Sequence, residues 1–364
     1  MRIAFFGSSL VSAYWNGAAT YYRGLLKALA ELGHDIVFYE PDAFERQAHR
    51  DIDDPEWARV VVYPSCPEAA LAALADGAAA DVIVKASGVG VFDELLEAEV
   101  VRLRAPGRRT VIFWDVDAPA TLERVAADPS DPFRALIPHY DLILTYGGGQ
   151  AVVDAYRALG AASCVPIYNA LDPSTHYPVP PEPRFAADLT FIGNRLPDRE
   201  ERVRTFFLEP ARQLPDMTFI LAGNGWSDLD LPPNVRALGH VYTWEHNRLN
   251  VSARAVLNVN RASMARFGFS PPTRVFEAAG AGACLITDRW PGIEAFLEPG
   301  SEILIADDGA QVIELLRNLE PEGARAIGAA ARRAVLDRHT YSHRARQVEE
   351  VLNAHRALAL DAAE

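Results

Sequence analysis

The chain has 364 residues, 49% of them hydrophobic and 23% charged, an ordinary globular mixture that excludes a largely disordered protein. Its 35 Lys and Arg stand against 49 Asp and Glu, a formal charge of −14. That balance argues against nucleic acid as a partner, because neutralising phosphates needs clustered basic residues. The length exceeds the size at which one hydrophobic core stops growing, so two domains are expected. Three widely separated cysteines, Cys66, Cys164 and Cys284, fit neither a disulfide framework nor a zinc knuckle and point to a reducing cytoplasm. The apolar run Ile3–Gly7 is too short for a signal-peptide core, and no stretch approaches the ~18 apolar residues of a membrane span.

In chain order, short runs rich in Val, Ile and Phe read as strands at Arg2–Phe6, Asp35–Tyr39, Val60–Tyr63, Asp81–Lys85, Thr110–Trp114, Asp141–Thr145 and Ser163–Ile167. Helical spacing fills Ala18–Leu32, Glu68–Asp76, Phe92–Arg104 and Gly149–Leu159. Strands apolar on both faces and separated by helices predict a parallel sheet covered on both sides, a Rossmann-like domain over 1–170. A proline-rich stretch follows, Tyr177-Pro178-Val179-Pro180-Pro181-Glu182-Pro183, and makes 171–187 a stiff linker.

The alternation then restarts. Strands are expected at Asp188–Ile192, Met217–Ala222, Val235–Leu238, Ala255–Val259, Ala283–Thr287 and Glu302–Ala306. Helices are expected at Arg199–Gln213, Trp244–Ser252, Pro271–Ala281, Ile293–Leu297 and Ala310–Leu319, then Gly323–Arg338 and Ser342–Ala359. This defines a second α/β domain over 188–338 and a terminal helix in 339–364.

Ligands of open α/β sheets bind beyond the carboxyl ends of the strands, beside helix N-termini. After the first strand, Gly7-Ser8 and then Asn16-Gly17 form either a permissive turn or a loop offering N–H groups and hydroxyls to a ligand; the spacing is not a dinucleotide fingerprint. Asp115 and Asp117, just past the fifth strand, are candidates for metal binding or for a general base, and Asp115 could equally cap the next helix or pair with an Arg. Gly147-Gly148-Gly149 marks either close ligand approach or tight packing. In the second half, Gly193–Arg199 carries Arg195 and Arg199, a residue type that binds phosphate in bidentate fashion, at a strand mouth. Asn224 lies in another glycine-bearing strand end. Ser270 reads as an N-cap and Pro271 as a first helical residue, so the Ser270–Arg274 region, Thr273 included, is a candidate anion site. Glu277, in an otherwise small and apolar helix, either accepts the hydroxyls of a ribose or pairs with Arg274. The histidines are scattered; only His339 and His343 sit at i, i+4 without an intervening Glu, and no zinc site is expected.

These segments together resemble the GT-B glycosyltransferases, in particular the CgeB-type spore-maturation proteins, over nearly the whole chain. The motifs are Leu29-Ala30-Glu31-Leu32-Gly33-His34-Asp35-Ile36, the crossing Asn169-Ala170-Leu171-Asp172 with Tyr177-Pro178, Arg274–Gly282 through Asp288, and His339–Ala345. The resemblance implies two facing Rossmann-like domains, a nucleotide-sugar bound mainly by the second, a final helix returning to the first, and no required metal or other cofactor. It implies that Arg195, Arg199 and the Ser270–Arg274 turn hold the donor diphosphate. The loop His240-Val241-Tyr242 would hold the base, and Glu277 the ribose. One departure stands out: where the Glu-x7-Glu motif expects its first Glu, this chain has Phe269. The expected activity is transfer of a sugar from a UDP- or dTDP-sugar to an acceptor hydroxyl or amine, with Asp115 or Asp117 activating the acceptor. A nucleotide-sugar epimerase and a catalytically silent nucleotide or sugar binder are the alternatives.

Overall fold

The computed structural model describes residues 1–14 and 16–361, without the side chains of Ser263, Leu360 and Asp361. The chain divides into two compact units, Met1–Asn169 with Tyr341–Glu364, and Ala170–Thr340. The first is built on β1 (Arg2–Phe6), β2 (Asp35–Asp42), β3 (Arg59–Pro64), β4 (Val82–Ala86), β5 (Thr110–Asp115), β6 (Leu142–Thr145) and β7 (Cys164–Pro166). They form one seven-stranded sheet in the order β3-β2-β1-β4-β5-β6-β7, with every pairing parallel. The second unit holds β8 (Ala187–Ile192), β9 (Phe219–Ala222), β10 (Val235–Gly239), β11 (Ala253–Asn258), β12 (Leu285–Asp288) and β13 (Leu304–Ala306). Its six-stranded parallel sheet runs β10-β9-β8-β11-β12-β13. The expected α/β architecture of two parallel sheets is thus present. Strands such as Val82–Ala86 and Thr110–Asp115 are buried at every position, which only helices on both faces allow.

Strand order reverses direction at β1/β4 in the first sheet and at β8/β11 in the second, and such switch points open a crevice at the strands' carboxyl ends. The last helix, Tyr341–Asp361, belongs to the first unit, where it packs on the helix Ala19–Glu31. Gly24 makes this contact close: a Cβ there would sit 2.1 Å from the Tyr341 ring. In the second unit Gly328, in the helix Pro321–Arg338, lies so near the Gly282 carbonyl that a Cβ would come within 2.1 Å of its oxygen.

Two local expectations change, and two helices appear where the sequence reading carried no expectation. Arg199–Gln213 is not one uniform helix: Pro197–Val203 continues through a π-helical turn, Arg204–Leu208, into Glu209–Gln213. Helices Ala118–Ala127 and Pro132–Leu136 each carry a proline in the first turn, where its missing N–H has no partner to lose. The helix expected from Pro271 begins at Thr273, with Pro272 as its N-cap at φ −65°, ψ 156°. A residue that precedes proline is driven out of the helical region, so Pro271 cannot open a helix before Pro272.

Candidate functional site

In the first unit the residues at the switch point are bound to one another. Ser8 Oγ donates to Asn16 Oδ1 at 2.9 Å, and Asn16 Nδ2 donates to the carbonyls of Ser9 and Ser12. Asn16 therefore staples its own loop. Gly7 is required because a Cβ would meet the Phe38 ring at 2.5 Å. Gly148 has φ +95° and its Cβ would strike Val152 at 2.0 Å, so this glycine serves helix packing.

Asp115 is completely buried, and both of its oxygens are used. Oδ1 accepts from Ser87 Oγ at 2.8 Å, the Asp117 N–H at 3.0 Å and Thr121 Oγ1 at 3.0 Å, while Oδ2 accepts from the Tyr156 hydroxyl. Burial pushes its carboxyl above the ordinary value despite these donors. Asp117 is half-buried at the start of Ala118–Ala127, and its side chain does not cap that helix. Sequence reading passed over Ser87-Gly88-Val89-Gly90, which follows β4 and joins Asp115 through Ser87; its Ser-Gly-x-Gly spacing between a strand and a helix was the available signal.

In the second unit the loops after β8, β9 and β10 interlock. Gly223 (φ +117°) donates its N–H to the Gly239 carbonyl at 2.7 Å, and the Trp226 indole donates to the Gly193 carbonyl at 2.8 Å. The Asn224 N–H donates to Asn194 Oδ1 at 3.0 Å, while the Asn224 side chain is exposed. Arg195 is committed within the protein: Nε and Nη2 grip the Glu200 carboxylate at 2.7 and 2.9 Å, and Nη1 reaches Asp228 at 2.7 Å. These hydrogen bonds raise the Arg195 pKa and hold Glu200 at about 2. Arg199 lies against the Gly193 turn, with Nη1 3.5 Å from the Asn194 carbonyl. Asp198 does not cap the helix but pairs with Arg261 at 2.7 Å.

Ser270 is not an N-cap. Its hydroxyl donates to the Gly268 carbonyl at 3.0 Å, two residues back, in a loop where Gly268 and Phe269 have positive φ. Phe269 turns its ring onto Gly292.

The groups that do converge are Val241, Thr273, Arg274 and Glu277, joined by two histidines that sequence reading left among the scattered ones. His246, in the helix Thr243–Ser252, places Nε2 3.3 Å from the Val241 carbonyl. Arg274 Nη1 is 3.4 Å from Glu277 Oε2, and Thr273, one turn earlier, bonds the same carboxylate. A nitrogen of His176, one of His246 and a carboxylate oxygen of Glu277 lie within 4.8 Å of one another. Burial pushes the Glu277 carboxyl up, but His176 and His246 in their protonated forms, reached in acid, together with Arg274 and the Thr273 hydrogen bond outweigh it and hold it below the ordinary value. Burial and Arg274 push the His246 imidazole down to about 4, so it is neutral at pH 7. His240 and Tyr242 flank Val241 on the exposed side, their rings edge to face at 4.7 Å.

The two parallel-sheet domains have the GT-B glycosyltransferase fold. Residues 199–350, which include all of this cluster except His176, match the family model described as glycosyl transferase-like. The chain is similar over 100% of both lengths to sucrose-phosphate synthase from Thermosynechococcus elongatus, at 14% identity and a TM-score of 0.73. It is similar to HepE of Anabaena, solved with UDP and glucose, at 15% identity and a TM-score of 0.66, over 97% of this chain and 100% of that one. A glycosyltransferase involved in avilamycin A biosynthesis aligns over 99% of this chain and 98% of its own, at 17% identity and a TM-score of 0.60. No curated protein matches in sequence. Among the described residues no helix is long and apolar enough to cross a membrane.

Proposed function

We propose that the protein is a glycosyltransferase of the CgeB type, moving a hexosyl group from a nucleotide-sugar to an acceptor hydroxyl or amine. The observation that carries this reading is the convergence of Val241, Arg274 and Glu277 through His246, inside the stretch that matches a glycosyl transferase-like family model. HepE, solved with UDP and with UDP-glucose, supports a nucleotide-sugar donor. In this reading the His240–Tyr242 loop meets the base and Glu277 the ribose. Arg199 and the N-terminus of the helix Thr273–Ala281 meet the diphosphate, whose developing charge they stabilise without a required metal. Arg195 must first release Glu200 or Asp228 to join them, so its role is to set the shape of this loop. Asp115 anchors the β5 loop through its four donors, which leaves Asp117 to activate the acceptor. Three unpaired cysteines fit a reducing compartment.

The test is incubation with UDP- and dTDP-sugars and an acceptor panel, with release of nucleoside diphosphate followed in the presence of EDTA. The expected result is acceptor-dependent release with a glycosylated product at an undiminished rate. Epimerisation of the donor sugar without an acceptor, or binding without turnover, would overturn the transferase reading. Loss of turnover in EDTA, restored by a divalent cation, would overturn metal independence alone.

A further inference from the structure

Glu277 sits among polar groups whose hydrogen-bonding capacity the protein does not use. Among the described residues, His176 Nε2, His246 Nδ1 and Arg274 Nε are buried without a hydrogen-bond partner. Orphaned buried polar atoms are costly, and several in one place mark a spot that a ligand completes. Arg274 and His246 are half-buried, whereas Glu277 and His176 are buried, so the cluster is reached past Arg274 and His246.

The hydrogen-bond pattern assigns the tautomers. His246 Nε2 faces the Val241 carbonyl, an acceptor only, so in the neutral ring Nε2 carries the proton and Nδ1 is a bare lone pair. The Thr175 hydroxyl gives its proton to the Asp172 carbonyl at 3.1 Å and therefore accepts from His176 Nδ1 at 2.9 Å. In neutral His176 the remaining nitrogen, Nε2, is then also a lone pair. Neither bare nitrogen can donate to Glu277, and its carboxylate keeps acceptor capacity for a ligand. Asn247 holds the two histidine segments together by donating to the Thr175 carbonyl at 2.8 Å.

Charge selects the ligand. A cation is opposed by the guanidinium 3.4 Å from the carboxylate, and an anion by the carboxylate and the lone pairs. A neutral diol is opposed by neither: one hydroxyl proton goes to the carboxylate, the other to a bare imidazole nitrogen, and its oxygens accept from Arg274. Resting on the nucleotide-sugar reading above, we infer that His176 and His246 are positioning residues that make this site demand two adjacent hydroxyls. The donor is then a ribonucleoside diphosphate sugar, and 2′-deoxyribose donors such as dTDP-sugars are excluded. A deoxyribose supplies one hydroxyl fewer and leaves a buried acceptor unpaired, the kind of mismatch a polar site rejects strongly.

The experiment is calorimetric titration of the full chain with UDP and with 2′-deoxy-UDP, which differ only in the hydroxyl. UDP is expected to bind roughly tenfold tighter or more. In His246→Phe and His176→Phe that ratio falls toward one, and His246→Gln, which restores a carbonyl acceptor, recovers part of it. General damage to the fold weakens both nucleotides alike and leaves the ratio in place, so an unchanged ratio in both Phe variants overturns the role of the histidines. Equal affinities in the parent chain overturn the ribose requirement while the nucleotide-sugar reading stands. Absence of binding by any nucleoside diphosphate overturns that reading and the inference with it. Stoichiometric Zn²⁺ binding that competes with UDP and is lost in Glu277→Gln would make the cluster a metal site and overturn the charge argument.

Discussion

Asp115 and Glu277 are both buried carboxylates of an α/β unit, and the protein treats them in opposite ways. Asp115 receives four donors from Ser87, Asp117, Thr121 and Tyr156, and nothing remains to offer a ligand. Glu277 receives Thr273 and a guanidinium at 3.4 Å, and stands before two imidazoles with unpartnered nitrogens. A saturated buried carboxylate is a structural pin, and an unsaturated one is a socket. Burial alone does not separate the two; the count of donors does.

The largest expected effect breaks the pin. Asp115→Ala leaves the Tyr156 and Thr121 hydroxyls and the Asp117 N–H without their acceptor in a dry site. It should lower stability by about 3 kcal/mol or more, measured as a shift in the urea unfolding midpoint. Asp115→Asn keeps one acceptor and should cost less. A Glu277→Ala variant should do the reverse, weakening UDP binding roughly 10- to 100-fold with a smaller midpoint shift than Asp115→Ala. Matching midpoint shifts with unchanged UDP affinity would erase the distinction between the two carboxylates.

Acid sharpens the same comparison. His246 titrates at about 4 in the fold against 6.5 when free, so only the unfolded chain takes up its proton between those values. Stability from His246 is therefore intact above pH 6.5 and is lost as pH falls from 6.5 to about 4, by up to about 3 kcal/mol. Glu277, held below its ordinary value, loses stability in the same direction at lower pH. Asp115, raised by burial, takes up its proton first in the folded state and gains stability as pH falls toward the ordinary carboxylate range. In His246→Phe, urea midpoints at pH 7 and pH 5 should lie closer together than in the parent chain.

The sheets were legible in the sequence because their strands are apolar on both faces and alternate with helical spacing, a pattern that survives without tertiary detail. Helix starts at prolines were harder. Pro119 and Pro132 begin helices that the spacing of apolar residues does not mark, whereas Pro271 reads as a start and is prevented from being one by Pro272. Glu277 was visible as a carboxylate in a small, apolar helix. Its histidines were not, because His176 follows the crossing into the second unit and His246 belongs to a helix far along the chain. Only folding brings them within 4.8 Å of the carboxylate. The saturation of Asp115 was equally hidden, since its donors come from the loop after β4, its own loop, the next helix and the helix Gly149–Ala158.

The smallest expected effect applies the same rule of saturation to cations. Arg195 and Arg199 are near in sequence and of one chemistry, and sequence alone ranks them equally as diphosphate ligands. Arg195 spends its fork on Glu200 and adds Asp228, so its charge is already answered before any donor arrives. Replacing it with Gln removes a loop brace and little of the diphosphate contact, and UDP affinity should change less than about threefold. Arg199 lies beside the Gly193 turn with Nη1 3.5 Å from the Asn194 carbonyl, and its guanidinium can offer a phosphate a charge-assisted hydrogen bond there. Arg199→Gln should weaken UDP roughly tenfold but uridine hardly at all, because uridine lacks the diphosphate. Equal losses for UDP and uridine would assign Arg199 to loop structure, as the donor count assigns Arg195.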